Sequence, residues 1–405
     1  AYELRLSLVG SEMCIRDRDT NAYDIAGTGN DTFGYTGGGY TPAATTPGNT
    51  LSTVQRIHYL NDTATALVRG PLNTNGRNFM AVGTAVFGYF IAGSNSASRV
   101  ERLDYSDDTT TPVVRGQLAE NIGSAVAVGN QDFAYVGGGA YSNAVKSTVQ
   151  RIDYSNDTAT ASPKGPLSLA RYAFGAAGNA NFGYFGGGSN PSASPSALST
   201  IDRIDYSNDT ATASPKGLLA RRQKAHAGTG NQSFGYFGGG YEPGGQESFV
   251  ERVDYSNDTA TSAPKGPLSA GRQYLAASSA AANALPTNTG LLTALFSASD
   301  PRDNVFPQGT DFGYFTVGDQ NTFTTIDRID YANDTATATT KGPLSVGRWA
   351  IAGTGNANFG YHSGGINNSG HLSTVDRIDY ANDLSLIHIS EPTRLRRISY
   401  AVFCL

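Results

Sequence analysis

The sequence predicts an all-β fold: a ring of seven blades, each an antiparallel sheet of four strands, with the last blade cut short. Three observations carry this. A segment resembling Arg-Ile-Asp-Tyr recurs seven times, its tyrosine at Tyr59, Tyr105, Tyr154, Tyr206, Tyr255, Tyr331 and Tyr380. The spacing is 46 to 52 residues, except for a gap of 76 between Tyr255 and Tyr331. That is the period of a stacked repeat rather than of independent domains. An aromatic opening a glycine-rich segment keeps the same count, at Phe33, Phe87, Phe133, Phe182, Phe234, Phe312 and Phe359. Second, 49 Gly, 22 Tyr and only 16% charged residues, with no helical charge pattern, point to strands and turns. Third, a unit of about 50 residues cannot bury both faces of its own sheet, so neighbours stacked around a channel must cover them.

Within the repeat that begins at Arg171, each element has a local reason. YAFGAAGN (172–179) is a strand-sized run of small residues, strand A. NFGYFGGG (181–188) alternates aromatics with glycine and forms strand B. A variable loop follows, then STIDRIDY (199–206), whose β-branched and aromatic positions make strand C. The Asn-Asp turn at 207–209 leads to TATASPK (210–216), strand D. Strand alternation puts Ile201, Arg203 and Asp205 on one side and Asp202, Ile204 and Tyr206 on the other. The arginine recurs in every copy, at Arg56, Arg102, Arg151, Arg203, Arg252, Arg328 and Arg377. With Asp205 beside it, Arg203 reads as half of an ion pair between blades. Phe182, Tyr184 and Phe185 read as interblade core. The glycines permit close packing and unusual dihedrals; no helix N-terminus follows them to make a phosphate cradle.

The order of features resembles the kelch repeat, through YFGGG at 184–188, RIDY at 203–206 and SPKGPLSLAR at 162–171. The resemblance covers nearly all of residues 21–383 and implies a propeller. The chain departs from it after the C–D turn, where kelch repeats carry tryptophan and this chain has Thr160 and Ala161. SNDTAT (155–160) is also similar to the Asp-box of sialidase propellers, a structural hairpin on the same corner. Calcium would need more carboxylates than each turn offers, so no metal and no cofactor is expected.

The two ends lack the repeat. LVGSEMCIRD (8–17) and LSLIHISEPTR (384–394) resemble translations of opposite strands of one sequencing adapter. Residues 1–18 and 384–405 are therefore read as adapter-derived, and 19–383 as the propeller, with an insertion at about 283–309. The last repeat then loses its D strand, which predicts an open or poorly sealed seam. Both cysteines, Cys14 and Cys404, fall in these ends, so the middle has no disulfide, thiolate nucleophile or cysteine metal site. The first end is charge-balanced, with three Arg and three acids. The second carries three Arg and one Glu, which leaves the middle near −7 from a total of −5. That balance argues against nucleic acid as a partner. No apolar run is long enough for a membrane span.

Function is expected where the copies differ. The B–C loops vary most and share a face with the D–A linkers. That face is read as carrying Tyr40, Tyr141 and Tyr241, the lysines Lys164, Lys216 and Lys265, and Arg171, Arg222, Arg272 and Arg348. The mixture suits a glycan or a protein ligand and no catalytic residue is assigned. A non-enzymatic binding or structural module results. Its Thr/Ser/Gly/Asn-rich surface is similar to repeat proteins of environmental phages, which favours an adhesin or virion appendage and an extracellular or virion-associated setting. The competing reading is a carbohydrate-active enzyme. Galactose oxidase shares the kelch propeller but needs a Tyr–Cys crosslink, and a sialidase needs an arginine triad that these repetitive arginines do not single out.

Overall fold

The computed structural model describes residues 22–42, 49–59, 66–94, 98–242, 244–279, 312–316, 324–356, 358–380 and 384–386. They form seven four-stranded antiparallel sheets, each in the order A-B-C-D from the axis outwards. Blade 1 runs from strand A at Ala26–Gly29 to strand D at Leu67–Arg69, and blade 2 from Met80–Gly83 to Val113–Val114. Blade 3 spans Val126–Gly129 to Ser162–Lys164, and blade 4 Gly175–Gly178 to Ser214–Pro215. Blade 5 spans Ala227–Gly230 to Ala263–Lys265, blade 6 Ala276–Ser279 to Thr339–Lys341, and blade 7 Ala352–Gly355 to Leu384–Leu386. The seven-bladed β-propeller expected from the repeat is the fold observed. The insertion at 283–309 and the N-terminal 1–18 segment lie outside the described residues.

Residue choice follows distance from the axis. Each A strand touches the A strands of both neighbouring blades, and its side chains are mostly small, Met80 of blade 2 and the valines of blades 2 and 3 being the largest. A Cβ on Gly27 would lie 2.6 Å from the Gly353 carbonyl oxygen of blade 7, and one on Gly228 would overlap the Ala176 carbonyl. The B strands are buried at four of five positions, the C strands at three of five, and the D strands are exposed edges. Pro163, Pro215 and Pro264 occupy the outermost strands of blades 3, 4 and 5, where a missing N–H blunts pairing with another chain.

One junction is built again and again. The FGY tyrosine of each blade stacks on the RIDY tyrosine of the next, with ring centroids 4.6–5.0 Å apart, in seven pairs. Within each blade the RIDY arginine lies over the FGY phenylalanine, 3.9–4.7 Å from its centroid. The arginine does not pair with the aspartate two residues on. Arg203 Nη1 instead reaches Asp258 of blade 5 at 2.7 Å, where the Tyr184 hydroxyl also donates at 2.9 Å and Lys216 Nζ approaches at 3.4 Å. Asp209 and Asp334 gather the same three donor types from the blade before them, and Asp108 and Asp157 do so with Arg69 and Arg115 in place of the lysine. The corresponding acids of the other two repeats, Asp62 and Asp383, lie outside the described residues. The ion pair is thus between blades, as expected, but its acid belongs to the Asn-Asp turn of the next repeat. Asp205 has a local task, accepting from the Ser207 N–H and hydroxyl at 2.9 and 2.6 Å.

Side-chain volumes are matched across each junction. The residue after FGY in one blade meets the first residue beyond that position in the blade before. Phe90, Phe185, Phe237 and Phe315 each face a glycine, respectively Gly37, Gly137, Gly186 and Gly238. Where the large ring is absent, the glycine is too: Val136 packs in one cluster with Ile91, and His362 Nδ1 lies 3.2 Å from the Thr316 hydroxyl.

The seam is closed, contrary to the expectation. Strand A of blade 1 packs on strand A of blade 7, and Tyr59 stacks on Tyr361 at 4.9 Å. The Thr354 hydroxyl donates to the Thr28 carbonyl at 3.0 Å and the Asn356 amide to Asp31 at 3.1 Å. Blade 7 is nonetheless the shortened one. Its repeat sequence ends at Asp383, and its fourth strand is Leu384–Leu386, from the segment read as adapter. Arg377 there faces Leu386, nine residues on, whereas Arg151 faces Ser162, eleven residues on. An open C-strand edge accepts whatever extended backbone follows it, because ladder bonds are made by the main chain.

Candidate functional site

The face that carries the B–C loops and D–A linkers sorts its charged side chains into two kinds. Lys164, Lys216 and Lys265 bond to the junction aspartates and are only 9–11% exposed. Arg171, Arg272 and Arg348 are fully buried, each holding an aspartate of strand C at 2.6–2.8 Å, namely Asp202, Asp327 and Asp376. Those acids also accept from the Ser168, Ser269 and Ser345 main-chain N–H groups, fixing the linker to the blade. These six charges hold the scaffold together and contribute no open surface. Sequence reading could not separate them from solvated charges, because a linker folded inwards has the same composition as one left outside.

Arg222 differs. The residue two places before a left-handed one is the buried arginine of blades 4, 6 and 7, ahead of Ala173, Tyr274 and Ala350. Ahead of Ala225 that place is Gln223, and ahead of Asn78 it is Gly76. Arg222 and Arg77 therefore stand one residue off the register and are not equivalents of Arg171. Arg222 is exposed.

Immediately after the buried-arginine position comes a column that differs between most copies: Tyr23, Arg77, Gly123, Tyr172, Lys224, Gln273 and Trp349. Each stands three residues before its A strand and is half-buried. Most pair across an isolated bridge with the residue that follows the di-glycine of strand B, as Tyr23 does with Tyr40, Lys224 with Tyr241 and Trp349 with Ile366. The di-glycine makes this possible: Gly187 and Gly188 sit at φ +64° and +103°, which kinks the hairpin before it resumes. Since the A strands line the axis, these seven residues ring one mouth of the channel. Sequence reading named Tyr40 and Tyr241, which pair with Tyr23 and Lys224 of this ring, but not the ring itself, because repeats draw attention to what they share. The signal was a variable column before strand A that carries aromatic, cationic and amide side chains in different copies.

The ring is densest where blades 7 and 1 meet. Tyr23, Tyr40 and His371 form a trio with ring centroids 5.0–5.8 Å apart. Arg77 lies 5.1 Å over the Tyr40 ring and 3.8 Å from Asp24. Burial pushes the Asp24 carboxyl up against the opposing pull of Arg77 and pushes His371 down. Burial and the neighbouring Asp24 charge raise the Tyr23 phenol. Lys224 Nζ lies 5.5 Å over Tyr241 across the mouth. Tyr141, in the small hairpin Ala140–Tyr141 with Ala144–Val145, stands 41% exposed. Among the described residues no three His, Cys, Asp or Glu side chains gather as a metal site, and no helix is long and apolar enough to cross a membrane.

Comparison with known proteins adds no family. No protein-family model and no curated protein sequence matches the chain.

Just beneath the mouth, His226 gives the fold a measurable pH dependence. Its Nε2 accepts from the Gly175 N–H at 3.1 Å, so the ring is neutral with its proton on Nδ1. Burial, with the Arg171 charge nearby, pushes the imidazole down to about 4. In the unfolded chain it titrates near ~6.5. The unfolded state therefore takes up the proton first, so stability is intact above ~6.5 and falls as pH drops towards about 4. Chemical denaturation at pH 5 should show a loss of about 2 kcal/mol from this group relative to pH 7. His226→Phe, matching Phe79 and Phe174 of other repeats, should remove that share of the slope.

Proposed function

We propose that this chain is a non-enzymatic binding propeller of kelch type, reading a glycan with the ring of side chains at the channel mouth. One observation carries the reading: seven copies keep their scaffold residues while the column Tyr23, Arg77, Gly123, Tyr172, Lys224, Gln273 and Trp349 diversifies. Tyrosine and tryptophan offer flat faces to the C–H side of a sugar, and Arg77, Lys224 and Gln273 offer donors to its hydroxyls. Tyr40, Tyr141 and Tyr241 extend the aromatic area around the ring. An adhesin or virion appendage is the setting that such a module suits.

Trp349 is the only tryptophan of the chain, so ligand at the mouth should alter its fluorescence. Sugars positive on a glycan array should titrate that signal in solution, and Trp349→Ala should weaken their binding by about tenfold. A chromogenic glycosidase panel run beside the array tests the enzymatic alternative. Turnover abolished by one point substitution would sink the binding-only reading.

A further inference from the structure

A second cleft lies along the linker from blade 4 to blade 5, where several departures from the repeat coincide. The linker proline, present as Pro71, Pro166, Pro267 and Pro343, is Leu218, 50% exposed. The serine of Ser168, Ser269 and Ser345 becomes Ala220, and the buried arginine becomes Gln223. The strand-C aspartate is lengthened to Glu251, which accepts from the Ala220 and Arg221 N–H groups at 2.8 and 3.0 Å and from the Ser262 hydroxyl at 2.7 Å. Main chain and a hydroxyl thus satisfy an acid that a guanidinium satisfies in blades 4, 6 and 7.

The positive charge has moved outwards. Arg221 and Arg222 are both exposed, and neither has a carboxylate within salt-bridge distance among the described residues. Arg221 is held flat, its guanidinium carbon 3.5 Å from the centre of the Phe249 ring. That stacking lowers the entropy lost when a guanidinium binds. Both arginines open onto a cleft of about 550 Å³, walled also by Leu218, Pro195, Glu242 and Thr261. The volume is in the range of small-ligand sites.

We propose that this cleft binds a uronate-type sugar residue, a six-membered ring bearing one carboxylate. The arginines take the carboxylate, Glu242 accepts from ring hydroxyls, and Leu218 with Pro195 covers the C–H face. A polyanion fits less well. Glu242 and the nearby Glu247 would repel every charge beyond the first, and their mutual repulsion is felt in Glu247, whose carboxyl burial and Glu242 raise.

The cleft borders the mouth, since Glu242 follows Tyr241, and the test tells the two apart. A trigalactoside carrying a single galacturonate, the neutral trigalactoside and triglutamate are titrated calorimetrically into the full chain and into Arg222→Ala, Arg221→Ala and Trp349→Ala. The singly charged trisaccharide should bind at least tenfold more tightly than the neutral trigalactoside and lose about tenfold in each arginine variant, with weakening at higher salt. Equal binding of acidic and neutral sugars, or affinity untouched by Arg222→Ala, overturns the assignment. Preference for triglutamate overturns it in favour of an acidic peptide. Uronate binding lost in Trp349→Ala alone would place that ligand at the mouth and overturn the cleft while supporting the ring. Unchanged melting of Arg222→Ala, an exposed substitution, confirms that a lost signal is not lost fold.

Discussion

Gly266→Val should prevent the propeller from folding. The added Cβ would overlap the Ala336 carbonyl oxygen of blade 6, and no flexible side chain is there to yield. The same glycine donates its N–H to the Asp334 carbonyl at 2.8 Å. Moving the strand to relieve the clash therefore breaks that bond and draws Lys265 from the Asp334 carboxylate, 2.9 Å away. Gly70, Gly116, Gly165 and Gly217 are caught in the same way by the next blade. The loss should exceed about 4 kcal/mol, which reads out as insoluble protein or as missing native signal in circular dichroism. Gly244→Ala is the control: a Cβ there meets nothing within 4 Å, and normal melting is expected.

Asp209→Asn should cost about 3 to 5 kcal/mol, the penalty for leaving buried cations without their counter-charge. The carboxylate is 7% exposed and binds Arg151 at 2.8 Å, Lys164 at 3.1 Å and the Tyr135 hydroxyl at 2.8 Å. Burial raises its affinity for a proton, but the bonds from Tyr135 and Lys164 and the charges of Arg151 and Lys164 prevail and hold it below the usual range. A depressed carboxylate contributes fully above the unfolded value of ~3.9 and loses its contribution as pH falls through the lower folded value. Urea denaturation at pH 7 measures the difference, and the variant should be less sensitive to acid than the parent. A midpoint equal to the parent's would mean that the junction tolerates unpaired charge.

The blade count, the strand order and the aromatic core were legible because each repeats with the chain. The junctions were legible only by half. Arg203 and Tyr184 stand in one copy and Asp258 in the next, whereas proximity along the chain suggested Asp205. A repeat announces which residues matter without saying whether a partner stands in the same copy or the next. The candidate site was harder still. Arg171 and Arg222 look alike in sequence, yet one is fully buried and the other exposed, because a single residue of slippage separates an inward from an outward side chain. Closure was misjudged for a related reason. The tyrosine stack and A-strand contacts that seal blade 7 to blade 1 do not depend on the missing part of strand D.

The paired volumes at the junctions also govern how such a gene can change length. Near-identical repeats recombine, and each product is filtered by what the cut brings together. Losing blade 2 would set Gly37 against Val136 and leave a void; losing blade 3 would force Ile91 onto Phe185. Losing blade 4 would set Gly137 against Phe237, and losing blade 5 Gly186 against Phe315, the same glycine–phenylalanine fit as before. Expansion and contraction are thus open in the middle of the ring and closed near blades 2 and 3, so copy number in relatives should vary through blades 4 and 5.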